Sequence, residues 1–409
     1  MATATHPAVE EASAESSVAE REAPWTPTPG GWAARITILV LLFGGIIFIT
    51  AIVPGYWAFR ISLAAIYAMI GLSINIVLGY AGQVSLGHHG FVGIAAFVSA
   101  YFVTEKAGCV TDSCPMSSFG IALVLAALSG AIAAGLLGLV ALRIRGLYLA
   151  LITLAYGLMA ERSIFQIPAL TGGGAGQPAP RPNGFVGDTA YAFLCFAVLA
   201  VLIFVDWRLF RSKVGRAILS VRHSEPVASS YGVNVTNYKV LAFVMSGIFA
   251  GIAGAMFGFR ATQVQASLFD FATSLLWVLM VVVGGLGNRV GVIIGSAFFA
   301  LFPYFLTITE SFENFFQDTL HREVGYFTLV IGAALALLTI IQYPGGIAEQ
   351  LSPVTRWLGG KKFEAHHGHR PKGTKKPGVL SKLRRAAAAS GEGPAEPAAA
   401  TGDGDEKDA

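Results

Sequence analysis

Long apolar runs separated by short polar breaks dominate the sequence. Ten of these runs are long enough to cross the roughly 30 Å hydrocarbon core of a membrane as α-helices. The fifth is the weakest, because Glu161 and Arg162 stand near its end. The pattern predicts an all-α polytopic membrane protein whose transmembrane domain covers residues 35–344. The ten runs lie at about 35–53, 61–80, 86–104, 118–141, 147–165, 189–207, 240–259, 271–287, 290–308 and 325–343.

The composition agrees with this fold class. Of the 409 residues, 54% are hydrophobic and only 13% are charged, which disfavours a soluble enzyme. The 48 glycines are typical of membrane helices, where neighbouring helices satisfy freed backbone groups. The net charge of +4 is too small to indicate nucleic-acid binding, and three cysteines exclude a disulfide scaffold.

Both ends of the sequence are polar. Residues 1–34 are rich in Ala, Ser, Glu and Pro and lack the apolar core of a signal peptide, so they are predicted to be a disordered tail. Residues 345–409 are first basic and then rich in alanine and acidic residues, which predicts a second disordered tail. Its basic part either is a solvated tail or contacts anionic lipid head groups.

Lysine and arginine are unevenly distributed between the two sides of a ten-span topology. With a cytoplasmic N-terminus, the inner segments hold 22 of the 28 basic residues and the outer segments hold six. Short cytoplasmic loops show this bias, so both tails are predicted to be cytoplasmic. Eight or nine spans remain possible if the fifth run, or the second and third, form re-entrant hairpins.

The break between the second and third runs, residues 79–90, is polar and interrupted by glycine. Backbone at this depth should be buried in protein or line a water-filled cavity. For Asn75, in the run before this break, an interhelical hydrogen bond is at least as good an explanation as a role in the transport path. His88 and His89 are interpreted as structural groups rather than metal ligands, because no cysteine or carboxylate stands at ligand spacing. The candidate path-lining residues are Asn75, Gly82, Gln83, Ser85, Gly87 and His88.

The longest polar break inside the domain is residues 208–239. Ser224 or Glu225 can cap a helix whose first position is Pro226, and Gly232 can end it. One interpretation is a basic loop that only fixes topology. The other is a docking surface for a soluble partner, since a capped helix is more than orientation requires.

Several motifs resemble those of a known family. Glu225-x-x-Ala228-x-x-x-Gly232, preceded by Gly215-Arg216-Ala217, resembles the coupling-helix motif of ABC importer permeases. The stretch 71–88 is similar to the signature of the LivM family of branched-chain amino-acid permeases, and three more matches follow in family order. These three matches are residues 145–155, 171–173 and 284–287. The sequence departs from the family where Ser224-Glu225-Pro226 stands in place of the usual Asn-Glu-Ile.

The resemblance implies an ABC importer permease fold in the cell inner membrane. It also implies a second, LivH-like permease, two cytoplasmic ATPases like LivG and LivF, and an external solute-binding protein, beside contact with membrane lipid. The substrate would be a branched-chain or other apolar amino acid, carried inward by alternating access. The residues that the resemblance assigns to ATPase coupling are Gly215, Arg216, Glu225, Ala228 and Gly232.

One part of this follows from the sequence itself. No Gly-x-x-x-x-Gly-Lys-Ser/Thr phosphate loop occurs, so the chain is predicted to have no ATPase site, and energy must come from another chain or from an ion gradient. The resemblance implies a transport subunit that holds no cofactor and whose partner subunits bind the ATP. A urea or short-amide permease would share the coupling segment. An ion-driven secondary transporter should have paired charges at mid-span, where this chain is nearly bare of charge.

Two smaller features complete the analysis. Four glycines at helical spacing in the seventh run predict close helix packing. Cys109 and Cys114 share the outer loop 105–117, where they either form a disulfide or stay reduced. The outer loop 171–188 is either a contact for the solute-binding protein or a flexible connection. The four packing residues are Gly247, Gly251, Gly254 and Gly258.

Overall fold

The computed structural model describes residues 55–109, 113–141 and 146–307, together with the single residues 334, 346 and 347. The predicted runs at 35–53 and, except for residue 334, 325–343 lie outside the described residues, as do residues 1–34 and, except for residues 346 and 347, the tail 345–409. Within the described ranges nearly all regular structure is helical.

The helices follow the apolar runs closely. Two of them, α1 and α2, continue as π-helices over Asn75–Tyr80 and Phe102–Lys106 respectively. Short 3-10 turns occupy Ile164–Gln166, Gly173–Ala175 and Ala266–Leu268. The α-helices are α1 Gly55–Ile74, α2 His88–Tyr101, α3 Met116–Ala141, α4 Leu147–Arg162, α5 Pro168–Thr171, α6 Asp188–Arg211, α7 Lys213–His223, α8 Glu225–Ser230, α9 Val235–Ala261, α10 Phe271–Gly284 and α11 Arg289–Thr307.

Six helical segments of the described chain are long and apolar enough to cross a membrane. They contain α1, α3, α4, α6, α9 and α10, and α11 adds a shorter apolar stretch, Arg289–Phe302. The third predicted run is helical too, but α2 has only 14 residues before its π-helical extension. The helical character of these eight runs is thus confirmed, whereas the total of about ten stays a prediction.

Helix α9 lies at the centre of the bundle, packed against α1, α2 and α3. A Cβ atom at Gly247 or Gly251 would overlap the α3 carbonyl oxygens of Gly130 and Ala126, and one at Gly254 would overlap that of Val92 in α2. At Gly258 it would lie 2.8 Å from Val264. The glycine stripe therefore lies where neighbouring backbones approach α9 most closely.

Short strands and a disulfide join the loops at the end of the bundle that the charge distribution places outside. Strand β1, Ser113–Cys114, pairs in parallel with β3, Arg181–Pro182. Strand β2, Gln177–Pro178, pairs antiparallel with β4, Gln263–Val264. Cys109 and Cys114 form a disulfide in this structure. Part of the loop 171–188 is thus held by strand pairing.

Candidate functional site

The break between α6 and α9 folds into two helices, of which the sequence predicted only the second. The first, α7, begins after Ser212, whose Oγ accepts a hydrogen bond from the Gly215 N–H at 3.4 Å. Gly215 packs so tightly on the Phe210 backbone that no side chain fits there. Arg216, the next residue, is exposed and donates to the Arg211 carbonyl at 3.0 Å.

The second helix, α8, lies where the sequence predicted a helix, but it begins at Glu225, one residue before the predicted first position. Ser224 precedes it, although the Ser224 side chain makes no capping hydrogen bond. At its end Gly232 takes a left-handed conformation with φ of +77°, and its N–H donates to the Ser229 carbonyl at 3.0 Å. Ala228 is buried against the bundle. The side chains of Val227 and Tyr231 are 54% and 83% exposed, so α8 presents apolar groups to solvent.

Glu225 holds α8 to the central helix. Its Oε1 lies 2.5 Å from Lys239 Nζ, in the second turn of α9. The Lys239 side chain is 4% exposed and that of Glu225 is 23% exposed. Glu225 and Ala228 therefore attach α8 to the bundle, and its exposed surface is formed by other residues. We call Val227, Ser229, Ser230 and Tyr231 the docking face.

Residues 81–87 connect α1 to α2 without forming a helix. His88, at the start of α2, is hydrogen-bonded through Nε2 to Ser73 Oγ at 2.7 Å, and Ser73 also donates to the Ser246 carbonyl at 2.8 Å. Because Ser73 and Ser246 are fully buried and Ser246 lies near the middle of α9, α2 begins within the bundle. The end of the connection, at Ser85 and Gly87, is therefore buried non-helical backbone.

Side chains of neighbouring helices satisfy the backbone of Leu86 in this connection. The Leu86 N–H donates to Thr153 Oγ1 at 2.9 Å, and the Leu86 carbonyl accepts from Ser274 Oγ at 2.8 Å. Thr153 belongs to α4 and Ser274 to α10. Such side-chain partners are what non-helical backbone requires at membrane depth.

The structure separates the predicted path residues into two groups. Gly82 is exposed and Gln83 is partly exposed, and the neighbouring Val84, which was not predicted, is exposed as well. Asn75 is fully buried, and its Oδ1 accepts a hydrogen bond from the Gly287 N–H at 2.8 Å, so its partner is the link between α10 and α11 rather than another helix. The remaining predicted residues are also buried: Ser85, Gly87 and His88.

The exposed part of the connection adjoins the break 208–239, the segment that the resemblance assigns to coupling. A cavity of about 350 Å³ separates residues 81–84 from the end of α7 and the start of α8, with residues 221–226 on its far wall. The sequence predicted a path and a coupling segment separately, and it did not predict that they share a cavity.

One charged pair at the same end was missed by sequence reasoning. Arg289, at the start of α11, donates through Nε to Asp206 Oδ2, and the Asp206 side chain is fully buried. The available signal was Asp206 itself, the one charged residue in the run 189–207, since a carboxylate in an apolar run requires a partner.

Comparison with known proteins identifies the family. A family model described as "Branched-chain amino acid transport system / permease component" matches residues 57–339. The chain belongs to this family. The permease is 28% identical to the high-affinity branched-chain amino acid transport system permease protein LivM of Salmonella typhimurium, over 75% of each chain. It is also 28% identical to the LivM protein of Escherichia coli, over 74% of each chain.

More distant likenesses extend beyond LivM. The probable branched-chain amino acid transport permease protein LivH of Methanocaldococcus jannaschii is 27% identical over 36% of this chain and 42% of that one. The solved structure of PsaBC from Streptococcus pneumoniae in complex with Fab is 15% identical over 76% of this chain and 99% of that chain, with a TM-score of 0.36.

Family membership confirms the resemblance that the sequence motifs indicated. It also identifies the chain as a multi-pass protein of the cell inner membrane and as a transport subunit.

Proposed function

We propose that this permease is a membrane-spanning subunit of an ATP-driven ABC importer for branched-chain or other apolar amino acids. The observation that carries the proposal is the likeness to LivM proteins over about three quarters of the chain. Relatives named for other solutes match shorter parts of this chain, among them the nucleoside ABC transporter permease protein NupC of Lactococcus lactis, which covers 54% of it. We therefore assign an amino-acid substrate, because the relatives named for amino acids match the longer part of this chain.

The docking face supports a role in coupling. An ATPase groove that closes on α8 would bury Val227 and Tyr231, two apolar side chains that otherwise stay in water. Glu225 connects α8 to Lys239 at the base of α9, and α9 packs on three other helices. Movement of the ATPases would thus become rigid-body movement of the bundle, which is how alternating access proceeds.

The connection 81–87 supports a role in the path. A zwitterionic apolar amino acid needs polar groups for its two charged ends and an apolar wall for its side chain. The open backbone and Gln83 offer the former, while Val84 and Leu86 offer the latter.

This chain would enclose half of the pathway and a LivH-like permease the other half. Two LivG/LivF-like ATPases, which bind the ATP, would attach on the cytoplasmic side, and a solute-binding protein would attach outside.

Substitutions on the docking face test the coupling role. We expect Val227→Asp and Tyr231→Asp together to lower ATPase co-purification and ATP-dependent uptake about tenfold, because they place charge in an apolar contact. Thr236→Asp, which adds a charge to an exposed position in the first turn of α9, is the matched control. Unchanged co-purification of the ATPases with the double variant would contradict docking through α8.

Energy source and substrate are tested by uptake into cells. Leucine, isoleucine and valine uptake should continue when ion gradients are collapsed and ATP is preserved. Uptake that stops with the gradient would identify a secondary transporter, and competition by urea instead of leucine would identify a urea or short-amide permease.

A further inference from the structure

Arg222 connects the coupling segment to the end of α1. It is the penultimate residue of α7 and stands three positions before Glu225. Its Nη1 donates a hydrogen bond to the Gly79 carbonyl, in the π-helical end of α1. Carbonyl groups in the last turn of a helix lack an intrahelical donor, so the guanidinium supplies the bond that the helix cannot.

Three elements meet at this arginine. A Cβ atom at Gly82 would lie 3.1 Å from Arg222 Cγ, so the aliphatic part of the side chain packs on the first turn of the connection 81–87. A Cβ atom at Gly287 would lie 3.2 Å from Arg222 Nη1. Gly287 belongs to the link between α10 and α11 and donates to Asn75 in turn. We call Asn75, Gly79, Gly82, Arg222 and Gly287 the Arg222 junction.

The Arg222 guanidinium donates to a backbone carbonyl rather than to a carboxylate. Among the described residues of this end, Glu225 is bonded to Lys239 and Asp206 to Arg289. Arg222 also stands between two cavities, the one of about 350 Å³ beside residues 81–84 and one of about 500 Å³ beside residues 286–290. Open space on both sides leaves room for the side chain to move.

We propose that Arg222 is the positioning residue that carries movement of α8 into the transport path. The proposal rests on the proposed function, since it requires α8 to be moved by ATPases. A shift of α8 would move Arg222, and Arg222 would pull on residues 79–82. The π-helical segment Asn75–Tyr80 is a place where α1 can change its winding, because its hydrogen bonds have poorer geometry than those of an α-helix. The exposed residues 82–84 would then move together with the end of α1.

The test compares variants in the complete importer, reconstituted in proteoliposomes with its second permease, ATPases and binding protein. Arg222→Gln removes the charged donor. We expect the ATPases to co-purify as before and ATP hydrolysis to stay within about twofold, while uptake falls about tenfold, the range expected for loss of a charge-assisted hydrogen bond. The number of ATP molecules hydrolysed per solute imported should therefore rise about tenfold. Arg222→Lys retains a donor and should restore part of the coupling.

The control and the second variant separate this role from a structural one. Lys213→Gln removes the same charge from the exposed start of α7 and should keep the wild-type ratio. If Arg222→Gln does not accumulate in the membrane, Arg222→Met, which keeps the apolar contact with Gly82, decides by the same ratio. A wild-type ratio in either variant, or joint loss of ATPase binding and uptake, overturns the proposal. A wild-type complex that imports without ATP would instead refute the proposed function.

Discussion

Gly251 faces the backbone of α3 with no room for a side chain. A Cβ atom there would overlap the Ala126 carbonyl oxygen, so Gly251→Ala should force α9 away from α3. We expect a loss of about 1–3 kcal/mol in stability, typical of overpacking. Thermal unfolding of the detergent-purified permease measures it. Gly120→Ala, in α3 where nothing lies within 4 Å of the added atom, is the control, and equal melting temperatures for the two variants would contradict the packing role.

Single residues also show where sequence reasoning stops. The spacing of the α9 glycines is visible in the sequence, because close helix approach depends on a local pattern. The partner of Asn75 is not visible, since the Gly287 N–H is 212 positions away. Arg222 contributed to the positive charge of the cytoplasmic segments and carried no other signal. Its bond to Gly79 depends on how three helices pack.

At the scale of single elements, the attachment of α8 to α9 depends on the ion pair between Glu225 and Lys239. Because Lys239 is almost fully buried, Glu225→Gln should leave its charge without its carboxylate. We expect Glu225→Gln to cost about 1–3 kcal/mol, the penalty for a buried charge that loses its counterion, and Lys239→Met to cost less, because Glu225 is partly exposed. The double variant should cost less than the two single effects combined. Melting temperatures of the four proteins check this, and additive effects would show that the pair does not act as a unit.

The elements differ in how much of them the sequence predicts. Apolar runs predicted the helices in the described ranges because the membrane requires about 20 apolar residues per crossing. Capping residues predicted α8 for the same local reason. Helix α7 was missed although the sequence carries a signal for it, since its buried residues, Gly215, Ile218 and Val221, recur at helical spacing. The depth at which α2 begins was not predictable either, since Thr153 and Ser274 determine it from distant helices.

At the scale of the whole molecule, the two ends of the bundle differ in construction. Paired strands and the Cys109–Cys114 disulfide hold the loops at one end. At the other end, α7, α8 and the Arg222 junction connect helices through single polar contacts that can be exchanged. This division suits an importer whose inner end is moved by a motor while its outer end receives a binding protein. The assignment of the inner and outer ends depends on the orientation that the distribution of basic residues indicates.

Labelling of thiols in sealed cells tests that orientation. The sequence contains three cysteines, of which Cys195 is fully buried. A membrane-impermeant maleimide should label none of them, because Cys109 and Cys114 are bonded to each other and are almost fully buried as well. Thr236→Cys, placed in a background with both outer cysteines changed to serine, should react only after the cells are permeabilised, because it lies beside α8. Labelling of this variant in sealed cells would invert the topology, and labelling of the unreduced wild type would remove the disulfide.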